Sequence, residues 1–245
     1  MKSCNAYESR CMSDVMGRTL RPGEFKLTKK AVEFCHVASE HRILDLGCGM
    51  GATIGFLYEN YKIKAVGIDP SEKLLGMARE VCPFADFVAG TGDFLPFPDE
   101  SFDFVMAECT LSLMNDIGKT LNEVRRILKT GGFFVVTDVY AKNPDAAIDL
   151  KNSSIVSCMR GLHDLEKLEE RIKDMGFDIL MTEDCSDLLK ELMVKIIFQF
   201  GSMDVFWNKA VGSGDCETGT LFQQKIRLCK PGYFLLIGRK EQYHG

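Results

Sequence analysis

The residues best placed to do chemistry lie in the stretch ILDLGCGMGA, where an acidic residue, a cysteine and three closely spaced glycines follow an apolar run. Gly47, Gly49 and Gly51 allow the backbone to turn sharply and to approach a ligand closely. The same letters also fit the dinucleotide fingerprint G-x-G-x-x-G/A. The turn alone therefore leaves two classes of cofactor open.

Three carboxylates help to separate these classes. Asp45 would repel a pyrophosphate but would attract a cofactor that carries an ammonium and a sulfonium, by about 4 kcal/mol at 4 Å and an effective dielectric constant of 20. Asp69 ends the next predicted strand, where it could accept hydrogen bonds from both hydroxyls of a ribose, as it would in a nicotinamide site. Asp93 follows the third strand, where it could accept from an adenine amino group, with Phe94 beside the ring.

A repeated strand–helix pattern from residue 42 must position these side chains. The predicted strands are RILDLG, KAVGID, ADFVAG, FDFVMAEC and GFFVVTDVY, and helical stretches such as DIGKTLNEVRRILK separate them. The strands are almost continuously apolar, as expected when helices cover both faces of a sheet. The pattern predicts an α/β protein with a doubly wound, mostly parallel sheet.

The whole chain of 245 residues predicts a single domain, since no interdomain linker or internal repeat is evident. Residues 1–40 are expected to form an N-terminal helical segment, and residues 42–183 and 231–240 the core sheet. Residues 186–230 are predicted to be an insertion near the acceptor site or a dimer contact. Trp207 and its neighbouring phenylalanines could line that site or pack in the core.

Composition limits the possible partners. The net charge is -5 and no dense block of Lys and Arg occurs, which argues against a nucleic acid or an anionic membrane surface. No apolar run approaches the roughly 18 residues of a membrane span. The ten cysteines include no C-x-x-C pair, so neither a metal site nor a disulfide framework is predicted. We expect a cytoplasmic protein without a secretory signal, because the first residues include no hydrophobic segment.

Four stretches carry a family resemblance: ILDLGCGMGA, GIDPSEKLLGMAR, GDFLPFPDESFDFV and EVRRILKTGGFFVVTDVY. Their order and spacing resemble class I S-adenosylmethionine-dependent methyltransferases, and in particular the small-molecule branch that includes ubiquinone-biosynthesis enzymes. The resemblance covers about residues 42–140. It implies a seven-stranded Rossmann-like sheet whose last strand, GYFLLIGRK, is antiparallel. It also implies that S-adenosylmethionine is the cofactor, bound by Asp45, Gly47, Cys48, Gly49, Asp69, Pro70, Gly92, Asp93, Phe94 and Glu108.

Methyl transfer from such a cofactor is a direct displacement, in which the enzyme mainly positions the reactants. The acceptor is expected to be a small molecule. The acceptor-side candidates are residues that follow the fourth and fifth strands, together with a later cysteine: Glu108, Cys109, Ser112, Asp138, Tyr140 and Cys158.

Cys109 and Cys158 also resemble two cysteines of arsenite methyltransferases, since soft thiolates suit a thiophilic atom. The alternative is that both are small buried side chains that fill space in the core. Two other functions stay open. One is a nicotinamide-dependent oxidoreductase, which Asp45 and the later motifs disfavour, and the other is a protein that binds S-adenosylmethionine without catalysis.

Overall fold

The computed structural model describes residues 4–211 and 218–241, and its centre is a seven-stranded sheet of order β4-β3-β2-β5-β6-β9-β8. These strands are β2 (Ile43–Leu46), β3 (Ala65–Asp69), β4 (Asp86–Ala89), β5 (Phe102–Glu108), β6 (Leu128–Ala141), β8 (Phe177–Asp184) and β9 (Pro231–Lys240). A separate short parallel pair consists of β1 (Cys4–Asn5) and β7 (Ile155–Val156). The predicted fold class is confirmed.

Strand direction also follows the prediction. β2 runs parallel to both of its neighbours, β3 and β5, and all four of its residues are buried. β9 is antiparallel to both β6 and β8, with Val136 opposite Leu236 in the pair with β6. Parallel strands with helices on both faces need apolar side chains on both sides, which accounts for the continuous apolar runs.

Nine α-helices lie in the described ranges: α1 (Arg10–Met16), α2 (Lys26–Phe34), α3 (Ala52–Tyr61), α4 (Glu72–Val81), α5 (Ile117–Ile127), α6 (Leu165–Asp174), α7 (Ser186–Phe200), α8 (Met203–Val211) and α9 (Gly219–Cys229). Several begin at a side chain that accepts a backbone N–H of the first turn, as Ser71, Asp116 and Asp164 do. The helix predicted from DIGKTLNEVRRILK ends at Ile127, before the Gly131–Gly132 pair, because β6 already begins at Leu128.

The N-terminal segment lies across the edge of the sheet at which β2, β3 and β5 end. β1 pairs with β7 through Cys4 opposite Ile155, and the Tyr7 hydroxyl accepts a hydrogen bond from the Cys158 backbone N–H at 3.0 Å. In a parallel α/β sheet, ligands bind in the crevice outside these carboxyl ends. The N-terminal segment thus covers the place where a ligand would bind.

Within the described ranges, no helix has the length and apolar character needed to cross a membrane.

Candidate active site

A cavity of about 310 Å³ opens at this edge of the sheet. Five parts of the chain line most of it: the N-terminal segment, the glycine turn after β2, the turns after β3 and β5, and residues 90–93 beyond β4. Most of the residues predicted to bind a cofactor are among them, namely Asp45, Gly47, Cys48, Gly49, Asp69, Pro70, Gly92, Asp93 and Glu108.

The glycine turn combines one crowded position with one open position. Gly47 has φ +77°, and a Cβ added there would lie 2.3 Å from the Thr110 hydroxyl oxygen. Gly49 has φ +49°, and a Cβ added there would meet no atom within 4 Å. Gly47 is therefore required for packing, whereas Gly49 exposes its backbone to the cavity. The Cys48 side chain is buried in the hydrophobic core and would be 2.7 Å from a Cβ on Gly67.

Asp69 ties the glycine turn to the end of β3. One oxygen of its carboxylate accepts a hydrogen bond from the Gly49 N–H at 2.9 Å, and the other accepts from the Ser71 N–H at 2.8 Å. Each carboxylate oxygen has a second lone pair, so hydroxyl groups in the cavity could still donate to it. The ribose contact remains a prediction.

Asp45 is buried, and its Oδ2 atom has no hydrogen-bond partner among the described residues. Burial raises the pKa of Asp45 to about 8; the nearby Glu108 raises it as well, while Arg21 lowers it. Buried polar atoms in folded proteins usually have a partner. An unpartnered carboxylate oxygen on a cavity wall is therefore suited to a cationic ligand.

Arg21 and Glu108 form a buried ion pair at 3.0 Å, with side chains 6% and 3% exposed. The Thr28 and Thr53 hydroxyls each donate to Glu108 at 2.7 Å and each accept from Arg21, at 2.8 and 2.9 Å. The network joins the N-terminal segment, α2, α3 and the end of β5. Glu108 lines the cavity as predicted, but its charge is balanced by Arg21, which the sequence analysis did not identify.

The turn after β4 holds Asp93 at the cavity and leaves Phe94 outside it. The Asp93 carboxylate accepts a hydrogen bond from the Thr120 hydroxyl at 3.3 Å. Gly92 is tightly packed, since a Cβ there would lie 2.9 Å from the Met114 sulfur atom. Phe94 is 72% exposed and does not line the cavity, which differs from the prediction that it flanks a ring.

The end of the cavity beyond the glycine turn includes Tyr7, Leu20, Cys109, Leu113 and Val156, and we call these five residues the acceptor end. Cys109 is buried, has φ +56° and donates through its thiol to the Tyr233 hydroxyl at 3.5 Å. Cys158 does not line the cavity, but its thiol is a side-chain hydrogen-bond partner of Cys109 that raises the pKa of Cys109.

Three of the predicted acceptor-side residues lie elsewhere. The Asp138 carboxylate is fully buried and accepts from the Ser112 N–H at 2.8 Å and the Ser112 hydroxyl at 2.7 Å. His163 lies 3.4 Å from the same carboxylate. Tyr140 packs edge-on against Phe234. Asp138, Tyr140 and Ser112 do not line the cavity, which differs from the prediction: Asp138 and Ser112 join β6 to the turn after β5, and Tyr140 packs against β9.

The insertion also differs from its predicted position. None of its described residues, within 186–211 and 218–230, lines the cavity. Phe206 and Trp207 are buried, and the Trp207 indole N–H donates to Gln223 at 2.9 Å, whereas Phe198 is 94% exposed. α7 and α8 instead pack against α1. The described part of the insertion therefore packs against the N-terminal segment and does not itself line the cavity.

Comparison with known proteins agrees with this geometry. Residues 44–136 match the family model described as "Methyltransferase domain". Phosphoethanolamine N-methyltransferase 3 of Arabidopsis thaliana is 26% identical over 181 residues, which cover 70% of this chain and 36% of that protein. The chain thus spans about a third of the length of this relative. The chain shares its fold with Haemonchus contortus phosphoethanolamine N-methyltransferase 2, solved with phosphomonomethylethanolamine and S-adenosylhomocysteine. The TM-score is 0.75 at 19% identity, and the match covers 95% of this chain and 56% of that one.

A second solved structure shares the fold but belongs to a cyclase. The [4+2]-cyclase SpnF has a TM-score of 0.72 and 22% identity, and the match covers 96% of this chain and 93% of that one. Such likenesses define the fold and leave the reaction open. Residues 44–136 thus match a methyltransferase domain, and the chain has the fold of the solved methyltransferase structures. The resemblance drawn from the sequence is confirmed at this level.

We predict that Arg21→Met lowers the free energy of unfolding by about 3–5 kcal/mol, because it leaves the buried Glu108 carboxylate without its cation. Adding Glu108→Gln should restore part of this loss by removing the uncompensated charge. Urea unfolding of the two single variants and the double variant measures the coupling. The control is Lys26→Met, whose partner Glu191 and own side chain are about 60% exposed and whose loss should cost little. Equal urea midpoints for Arg21→Met and Lys26→Met would contradict this role.

We also predict a pH dependence of stability that arises from Asp45. Its folded-state pKa of about 8 lies above that of an unfolded chain, so the native state holds an extra proton between about pH 4 and pH 8. This contribution to stability is fully present below pH 4 and is lost as the pH rises to 8, at a rate of at most about 1.4 kcal/mol per pH unit. Asp45→Asn should therefore be more stable relative to wild type at pH 8 than at pH 5.

Urea unfolding of the ligand-free protein at several pH values checks this expectation. Asp187→Asn removes a carboxylate that is 87% exposed and should retain the wild-type pH slope. If Asp45→Asn and wild type keep a constant difference in stability from pH 5 to pH 8, Asp45 is ionised in the folded protein and the expectation fails.

Proposed function

We propose that the cavity binds S-adenosylmethionine and that the protein transfers the methyl group to a small-molecule acceptor. The observation that carries this proposal is the unpartnered Asp45 oxygen, buried in the wall of a cavity that three of the four sequence motifs line together with the end of β5. A cation bound beside Asp45 would lower the raised pKa of this carboxyl and so ionise it, whereas a pyrophosphate would raise that pKa further. The open space at Gly49 would admit the cofactor close to the backbone.

The donor atoms around the cavity fit the other parts of such a cofactor. Asp69 would hold the ribose through its carboxylate, and Asp93 would accept from the adenine amino group. Asp45 would face the amino-acid portion, where the charge lies. These assignments are supported by the positions of the three carboxylates, which all line one cavity. Each carboxylate would bind a different part of the cofactor.

When bound, the cofactor would supply an electrophilic methyl group on a sulfonium. The residues of the chain would position the acceptor in line with that methyl group and exclude water, and orientation of this kind can contribute about 7–11 kcal/mol. The N-terminal segment, which covers the cavity, would help to exclude water. Glu108 is paired with Arg21 and is not placed to take a proton from the acceptor. An acceptor whose nucleophilic atom already carries an available lone pair at neutral pH, and so needs no general base, therefore fits best.

The relatives support methyl transfer as the reaction, while the cyclase shows that this fold can serve another. A protein that binds S-adenosylmethionine without turnover, and a nicotinamide-dependent oxidoreductase, are therefore outcomes that the experiment must distinguish. Asp45 disfavours the oxidoreductase because of its charge. The intact set of cofactor residues favours turnover.

We expect S-adenosylmethionine to raise the melting temperature of the purified protein and NAD(H) to leave it unchanged. Asp45→Asn should weaken S-adenosylmethionine binding about tenfold or more, since 1.4 kcal/mol of lost charge attraction corresponds to a factor of ten. Asp187→Asn should bind like wild type. Calorimetric titration measures the affinities, and S-adenosylhomocysteine formation with a pool of small metabolites measures turnover.

Stabilisation by NAD(H) alone would overturn the cofactor assignment. Tight binding of S-adenosylmethionine with no S-adenosylhomocysteine formed from any acceptor pool would favour the non-catalytic binder.

A thiophilic acceptor, such as trivalent arsenic in arsenite, is the second candidate. The supporting observation is the contact between the Cys109 and Cys158 thiols at the acceptor end. Two neighbouring thiols are suitable ligands for a soft atom. The acceptor end otherwise consists of apolar side chains and the Tyr7 phenol, with little to bind a strongly charged acceptor.

For this candidate we expect the reduced protein to bind a phenylarsenical, and Cys109→Ser and Cys158→Ser each to weaken that binding at least about tenfold. Cys35→Ser removes another buried thiol, which does not line the cavity, and serves as the matched control. Mass spectrometry of the intact adduct gives the readout. Unchanged binding by Cys109→Ser would exclude the thiophilic acceptor.

A further inference from the structure

Two cysteines that are far apart in the sequence meet beside the candidate active site. Cys109 directly follows β5, and Cys158 begins the 3-10 turn Cys158–Gly161 after β7. The two turns are closely packed, because a Cβ on Gly161 would lie 1.8 Å from the Ser112 carbonyl oxygen. This packing brings the two thiols into side-chain hydrogen-bond contact.

The two thiols have different surroundings. Cys109 is buried, lines the cavity and is hydrogen-bonded to Tyr233. Cys158 is half-buried, and its backbone N–H is bonded to the Tyr7 hydroxyl. A small solute can therefore reach Cys158 more readily than Cys109. Both are free thiols in the structure.

We propose that Cys109 and Cys158 form a redox-modification site in which a hydroperoxide converts the thiol pair into a disulfide. In the first step, the Cys158 sulfur attacks hydrogen peroxide, so that a sulfenic acid forms and one water leaves. In the second, the Cys109 sulfur attacks the sulfenic acid sulfur. An S–S bond forms, and the sulfenic hydroxyl departs with the Cys109 proton as a second water. Two molecules of a small thiol reverse the process and become a disulfide themselves.

The surroundings assign the two roles. The less buried partner meets the oxidant, so Cys158 is the peroxide-reactive cysteine. Cys109 is held as a thiol, since its hydrogen-bond contact with Cys158 and its burial both raise its pKa. A protonated, buried thiol reacts poorly with peroxide but can resolve a sulfenic acid that forms directly beside it.

Formation of the bond would act on the acceptor end of the cavity. Cys109 follows Glu108, whose carboxylate belongs to the buried network with Arg21, and the Cys158 backbone is held by Tyr7. Drawing the two sulfur atoms to bonding distance therefore moves residues that line this end. The predicted loss of turnover rests on the proposed methyl transfer, whereas the formation of the disulfide does not.

Peroxide treatment of the reduced full-length protein, followed by alkylation and peptide mapping by mass spectrometry, tests the bond directly. We expect one linked pair of peptides, which contain Cys109 and Cys158, and its loss on addition of dithiothreitol. Cys109→Ser should trap the sulfenic acid on Cys158 as a dimedone adduct, and Cys158→Ser should give neither species. Cys11→Ser removes another half-buried thiol and should leave the linked pair unchanged.

If wild type shows no linked pair, or if Cys158 links to a different cysteine, the proposal is wrong; this mapping needs no variant to fold. Turnover gives a separate readout. We expect methyl transfer to fall at least about tenfold on oxidation and to recover with dithiothreitol, with no such change in Cys158→Ser. A reversible Cys109–Cys158 bond in a protein that never produces S-adenosylhomocysteine would overturn the proposed function and leave the redox site standing.

Discussion

The buried pair of Arg21 and Glu108 is the interaction on which the rest of the site depends. Asp45, Asp69 and Glu108 bring three carboxylates to one cavity, and a buried carboxylate without compensation is strongly destabilising. Arg21 supplies the compensating charge, and Thr28 and Thr53 satisfy the remaining oxygens of Glu108. The N-terminal segment that carries Arg21 is therefore an electrostatic part of the cavity wall.

That dependence explains how distant parts of the chain combine. The insertion does not line the cavity, but α7 and α8 pack against α1 and so hold the N-terminal segment in place. Lys26 and Glu24 add exposed ion pairs with Glu191 and Lys195 of α7. Exposed pairs of this kind contribute little energy individually. The apolar packing of α1 against α7 and α8 is the larger contribution, and it fixes where Arg21 and Tyr7 lie.

The cavity has two ends with different chemistry. Backbone groups of the glycine turn and the carboxylates of Asp45, Asp69 and Asp93 form one end, where the strand ends fix their positions. The acceptor end is apolar apart from Tyr7 and Cys109, and turns from several parts of the chain build it. Folds of this class vary their reactions by changing such turns, which is consistent with a methyltransferase and a cyclase sharing one architecture.

The sequence by itself determined the sheet, most of the helices and the end of the cavity that carries Asp45, Asp69 and Asp93. Strands and helices follow from the local spacing of apolar residues, and residues that end neighbouring parallel strands must meet at one edge, as Asp45 and Asp69 do. Only the tertiary structure decided that Arg21 balances Glu108, that Asp138 is bound by Ser112 and His163, and that Cys109 meets Cys158. Each of these contacts joins segments far apart in the chain, so their partners depend on how turns and helices pack, and no local pattern records that packing.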